Sequence, residues 1–168
     1  RQSGACREAL PAAVNLMLQP QMSLLFASAG MLSMDGRCKT FDARSNGYVR
    51  GEGVGSAVLD VAEGNQSLVV GGCSVRADGK SASLTAPNGT AQARMIGAAL
   101  ATAGVEGLCL VEAHGTGTPL GDPTEVGALE RALGKSGPCV CGIKASIGHT
   151  ESAAGLVGLF SLSRALSR

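Results

Sequence analysis

Leu108-Cys109-Leu110-Val111-Glu112-Ala113-His114-Gly115-Thr116-Gly117-Thr118-Pro119-Leu120-Gly121-Asp122-Pro123-Thr124-Glu125 reads as strand, turn and helix in one run. Leu108 to Ala113 is short and apolar enough for a buried strand. The two glycines of the turn let a backbone approach a ligand closely. Asp122 is the expected N-cap, Pro123 suits the first helical position, and Glu125 completes a capping box. That helix is expected to end near Gly134.

Working outward, the same alternation repeats. Leu68 to Val75 reads as a strand, and a polar loop follows through Asp78-Gly79 and Pro87-Asn88-Gly89. A helix from about Thr90 to Ala103 carries Met95, Ala98, Ala99 and Thr102 on one face, with Gly104 as its stop. A further strand, Val140 to Lys144, leads to a small-residue helix from about Thr150 to Leu166. Strands alternating with helices over short connections predict an α/β fold with a parallel sheet and right-handed crossovers. The first part of the chain is less regular. Met22, Leu25, Phe26 and Ala29 form a helical stripe after Pro20, Gly30 to Gly55 is mostly loop, and Val54 to Val61 reads as a strand.

The composition narrows the function classes. The 168 residues are 45% hydrophobic and 16% charged with net charge +1, which gives no electrostatic case for nucleic acid or a membrane surface. No apolar stretch reaches the roughly eighteen residues of a membrane span, and residues 1–20 do not read as a signal peptide. The first residue is Arg1 rather than Met, so processing or a piece of a larger chain is expected. With 25 glycines, three phenylalanines and one tyrosine, the core must be built from small aliphatic side chains on closely packed backbones. No Cys or His spacing suits zinc, so no metal is expected. The six cysteines are read as reduced thiols of a cytoplasmic or other intracellular protein, most of them small buried apolar residues.

Ligands of a parallel sheet bind outside the carboxyl ends of its strands. Both histidines of the chain fall there: His114 after the strand ending at Ala113, and His149 beyond the strand ending at Lys144. Neighbouring strand tips would bring them to one substrate, although each alone also fits a helix cap or a filler of a polar gap. The hydroxyls of Thr116 and Thr118 point the same way if the turn is extended. Lys144 either holds an acidic neighbour, tunes the protonation of the site, or is a solvated strand end. Gly51-Glu52-Gly53-Val54-Gly55 runs into a strand and lacks the third glycine of a dinucleotide loop. Ser146 sits in nothing like a nucleophile elbow, which argues against a hydrolase.

These strings resemble a known family. Val111 to Pro123 is similar to the first histidine motif of β-ketoacyl synthases, and Gly142 to Glu151 to their lysine and second-histidine motif, with Ala153-Ala154-Gly155 following. Ala29 to Leu32, Asp35 to Asp42, Gly47 to Gly53 and Leu84 to Gly89 add further matches in order, in the style of multidomain polyketide synthases. The resemblance implies a thiolase-like layered fold (α-β-α-β-α), incomplete here. Residues 1–62 would be the end of the N-terminal half and 63–168 most of the C-terminal half. It places the nucleophilic cysteine upstream of Arg1, so that none lies in this chain and Cys6 holds a structural position. A glycine-rich loop and the last strands would follow Arg168. Pro11-Ala12-Ala13 stands where the family shows Ala-Gly-Gly, and a proline there weakens a strand.

By the same resemblance, the parent enzyme is an acyltransferase of polyketide or fatty acid biosynthesis. It would condense acyl and malonyl-type thioesters, the latter carried on the phosphopantetheine of an acyl carrier protein, as a homodimer with no cofactor of its own. His114, His149 and Lys144 would be catalytic, and Thr116 and Thr118 would bind pantetheine. The isolated chain is expected to be inactive without the thiolate and to expose sheet edges and apolar surface. A non-catalytic pseudo-synthase or partner subunit, and an unrelated α/β hydrolase or binding module, are the other readings.

Overall fold

The structure is a computed structural model that describes residues 7–61, 68–81, 83, 86–135 and 137–167. Cys6, Leu84, Thr85 and the expected division at residue 62 lie outside the described residues. The N-terminal part is an antiparallel ribbon of β1 (Glu8–Ala9), β2 (Ala12–Asn15), β3 (Gly53–Ser56) and β4 (Leu59–Asp60). Glu8 pairs with Asp60 and Val14 with Val54, in one register from end to end. The ladder breaks at Pro11, whose carbonyl accepts from the Ala57 N–H but which has no N–H to return. The strand expected over Val54 to Val61 is therefore two short pieces.

Between the two arms of the ribbon lie α1 (Gln21–Ser28), which carries Met22, Leu25 and Phe26 of the expected stripe with Ala29 as its C-cap, and a long connection. The bridge Leu32–Tyr48 closes that connection on itself, and Arg50–His149 ties it to the rest. Further on, α2 (Gly89–Ala103) starts where the Asn88 side chain accepts from the N–H groups of Thr90 and Ala91. It stops at Gly104, as expected, and the glycine ends it in the left-handed conformation with φ of 66°. The parallel pair β5 (Leu110–Glu112) and β6 (Cys139–Cys141) is joined by α3 (Gly121–Leu133), and α2 packs along α3. Then come α4 (Lys144–Ile147), a 3-10 turn (Glu151–Ala153) and α5 (Ala154–Leu166).

Helix α5 lies between β5 and β3, which makes the layering. It can do so because a glycine sits at each contact: a Cβ on Gly158 of α5 would come within 3.2 Å of Glu112, and one on Gly55 of β3 within 3.0 Å of Phe160. Two expectations fail. Leu68 to Val75 forms no strand among the described residues; its Gly72 presses against α2 instead. Of the five described cysteines, all free, only Cys38 is buried; Cys73, Cys109 and Cys139 are exposed and Cys141 is half-buried. Cys139 and Cys141 lie on a strand with one hydrogen-bonded neighbour, and Cys73 on a run with none, so nothing covers them fully. Small residues such as Ala113, Ala128 and Ala153 form the core, while Val14 and Val54 stay more than half exposed on the ribbon.

Candidate active site

Strands β5 and β6 run parallel, so their carboxyl ends open on one side, and the Ala113 N–H donates to the Cys141 carbonyl at that end. The turn that follows carries His114, with Gly115 and Gly117 at φ of 44° and 77°. Both glycines are required. A Cβ on Gly115 would meet Thr40 at 2.5 Å, and one on Gly117 would meet the Lys39 backbone at 2.6 Å. The Thr40 hydroxyl donates to the Gly115 carbonyl and the Gly47 N–H to the Gly117 carbonyl, which staples the turn to the long connection.

The two acids of the expected capping box do other work. Helix α3 begins two residues early, at Gly121, so Asp122 is its second residue and does not cap it. The Asp122 carboxylate instead accepts from the N–H groups of Phe41, Gly117 and Thr118 at 2.7, 3.0 and 3.3 Å. Glu125 turns back to accept from the N–H groups of His114 and Gly115 at 2.6 and 2.8 Å. Since these donors already point at α3, the carboxylates satisfy them and not the helix end. The acid spacing was visible in the sequence; its target was not.

Thr116 is buried and its hydroxyl lies 3.4 Å from that of Thr118, so the pair does share a direction. The Thr118 oxygen also accepts from the Gly121 N–H, which makes it a support for the start of α3. Past β6, Lys144 is not a strand-end residue but the first of α4, and it is only 5% exposed. Glu112, to which no sequence pattern assigned a role, accepts from the Ile143 N–H at 2.6 Å and orients that segment.

His149 is bracketed by hydrogen bonds of its backbone to Val49 and Gly51. Its Nδ1 accepts from the Glu151 N–H at 2.9 Å. An amide can only donate, so Nδ1 carries no proton and the neutral ring must be protonated at Nε2. The His114 and His149 ring centroids are 5.5 Å apart with an interplanar angle of 84°, and Tyr48 packs 5.2 Å from His149. His114, Thr116, Thr118, Gln92, Met95 and Tyr48 line a cavity of about 860 Å³. No three His, Cys, Asp or Glu side chains converge on a metal position among the described residues, and no helix there is long and apolar enough to cross a membrane.

His114 is itself exposed, but partial desolvation by the protein around its ring and the neighbouring Lys144 ammonium lower it below the ordinary imidazole value of 6.5. Burial, Lys144 and His114 together lower His149 to about 4. Burial lowers Lys144 from 10.5, against the pull of Glu112 and Glu125. Both imidazoles are therefore neutral donors at neutral pH. The unfolded chain binds these protons more readily than the folded one, so stability is intact above the unfolded value and is lost as pH falls from about 6.5 through about 4. Thermal melting across that range should show Tm dropping with pH, and His149→Asn should flatten the drop. An unchanged slope in the variant would remove His149 as its source.

With that geometry in place, relatives can be compared. Residues 2–65 match the family described as beta-ketoacyl synthase, N-terminal domain, and residues 67–168 the beta-ketoacyl synthase, C-terminal domain. The chain belongs to the β-ketoacyl synthase family. It is 41% identical to the highly reducing polyketide synthase sphB of Aspergillus fumigatus, over 97% of this chain and 7% of that protein. It is 44% identical to the polyketide synthase ThaG of Burkholderia thailandensis, over 94% of this chain and 3% of that protein. Among solved structures, the oxazolomycin ketosynthase domain of Streptomyces albus superposes with a TM-score of 0.88 at 37% identity, covering 95% of this chain and 30% of that one. The ketosynthase from module 6 of the bacillaene synthase of Bacillus subtilis gives 0.88 at 35% identity, covering 94% and 30%. The chain thus spans less than a third of these ketosynthases, and its fold is their thiolase-like α/β fold. β-Ketoacyl synthases are acyltransferase-type condensing enzymes, and this chain is a part of such a domain.

Proposed function

We propose that the enzyme carrying this chain performs decarboxylative Claisen condensation, and that His114 and His149 stabilise the charge formed on decarboxylation. A malonyl-type thioester loses CO2 when the electron pair of its carboxyl–carbon bond moves into the thioester, placing negative charge on the carbonyl oxygen. The resulting carbanion attacks an acyl thioester and expels its thiolate. Two preorganised N–H donors aimed at that oxygen lower the barrier because the charge they meet exists only in the transition state and the intermediate. The observation that carries the reading is the pair of neutral rings 5.5 Å apart, His114 just past β5 and His149 just past α4, with His149 held as the Nε2–H tautomer.

Lys144 adds its charge to desolvation in keeping both rings neutral, and Thr116 and Thr118 receive the phosphopantetheine arm, which belongs to an acyl carrier protein and not to this domain. The acyl and malonyl-type thioesters are the substrates, and the working enzyme is a homodimer of condensing domains. The matched spans favour residues 1–62 as the end of the N-terminal half and 63–168 as most of the C-terminal half. The test uses the complete condensing enzyme that contains this chain: incubated with malonyl-carrier protein, it should release CO2 well above the rate without enzyme. Release no faster than that background would sink the proposal.

A further inference from the structure

We infer that Arg50 is a positioning residue for His149, acting through Glu151 to hold the ring in its Nε2–H tautomer. The inference rests on the role proposed for His149 above. Arg50 lies in the Gly47 to Gly53 string, far from His149 in the chain, yet a bridge sets the two side by side. Its guanidinium grips Glu151 with two bonds, Nε to Oε1 and Nη2 to Oε2 at 3.1 Å. The remaining nitrogen, Nη1, donates to the Ser23 hydroxyl at 2.8 Å, and the guanidinium carbon sits 5.3 Å from the Phe26 ring centroid. The fork is thus fixed on every side by α1 and by Glu151, and the Arg50 side chain is only 7% exposed.

What the fork secures is an uncommon backbone. Glu151 has φ of 45°, the left-handed region that a residue with a side chain adopts only when its surroundings over-determine it. In that conformation the Glu151 N–H points at His149 Nδ1. The ion pair is the contact that anchors the Glu151 side chain, so releasing it lets residue 151 relax. His149 Nδ1 then loses its donor and the ring can place its proton on either nitrogen. Only the Nε2–H form presents its donor on the side of the ring away from the Glu151 amide. A motif of the first half of the chain therefore sets the chemistry of an atom in the second.

The test compares Arg50→Gln and Arg50→Lys in the complete condensing enzyme, reading malonyl-thioester decarboxylation and the His149 tautomer by two-bond nitrogen–proton NMR, with His149→Ala for assignment. The native enzyme should show Nε2–H alone. Arg50→Gln should show a mixture and lose about tenfold in kcat with little change in KM, the scale of losing a side chain that orients a functional histidine. Arg50→Lys, which keeps the charge, should recover part of both. Should Arg50→Gln fail to fold, Glu151→Ala carries the test with the same expected mixture. A pure Nε2–H signal in whichever of these two variants folds would overturn the inference. Mixed tautomers with undiminished decarboxylation would support the positioning and instead refute the role given to His149.

Discussion

Replacing His114 or His149 by alanine should each lower decarboxylation of a malonyl thioester by roughly a hundredfold to a thousandfold, the cost of deleting one donor from an oxyanion site. The loss should fall on kcat. The thioester carbonyl of the bound substrate is a weak acceptor, so the donors matter little for binding, whereas the enolate oxygen is charged and depends on them. Both rings are neutral at neutral pH and so have one N–H each to give. His149→Asn, which keeps an N–H donor, should retain more activity than His149→Ala. The double alanine variant should lose less than the product of the single losses, because one oxygen served by two donors is already poorly stabilised when either is gone. A variant in which only KM rises, with kcat intact, would mean that the imidazoles bind substrate without assisting the reaction.

The second large effect concerns stability. Asp122→Ala should destabilise the fold by about 3 to 5 kcal/mol, because it strands the N–H groups of Phe41, Gly117 and Thr118 inside the protein. Asp122 is 4% exposed, so water cannot readily replace the lost acceptor. That is a large fraction of the roughly 5 to 15 kcal/mol by which domains are stable. Asp122→Asn should cost less: Oδ1, which serves Gly117 and Thr118, survives, and only the Phe41 N–H faces an amide in place of an oxygen. Glu130→Ala, on the exposed side of the same helix, should change stability by no more than about 0.5 kcal/mol. Chemical denaturation of the three variants makes the comparison, and an Asp122→Ala loss as small as that of Glu130→Ala would contradict the clamp.

Both expectations depend on features with different visibility in the sequence. The helix over Gly89–Ala103 and its glycine stop, and the alternation of β5, α3 and β6, follow from periodicity and turn chemistry, which act over a few residues. The placing of His114 just past a strand end followed from the same alternation, whereas His149 comes after α4 and is set by its bridge to Arg50. Leu68 to Val75 shows the limit of local reasoning: it is as apolar and β-branched as a strand should be, but a strand exists only with a partner, and partner availability is a property of the whole fold. Asp122 and Glu125 show the same limit for chemistry. Their spacing matches a capping box, but capping competes with any other donors within reach, and the Gly115 and Gly117 turn bends its N–H groups toward them.

By itself, then, the order of residues determined the α/β alternation, the identity of the histidine pair and the family to which the chain belongs, because each is written in short-range patterns of size, polarity and glycine. Tertiary structure alone decided which nitrogen of His149 bears the proton, that Lys144 is buried in a short helix, and that Arg50 and Glu151 meet. These depend on contacts between segments distant in the chain, whose energies arise only when the backbone has already brought them within a few ångströms.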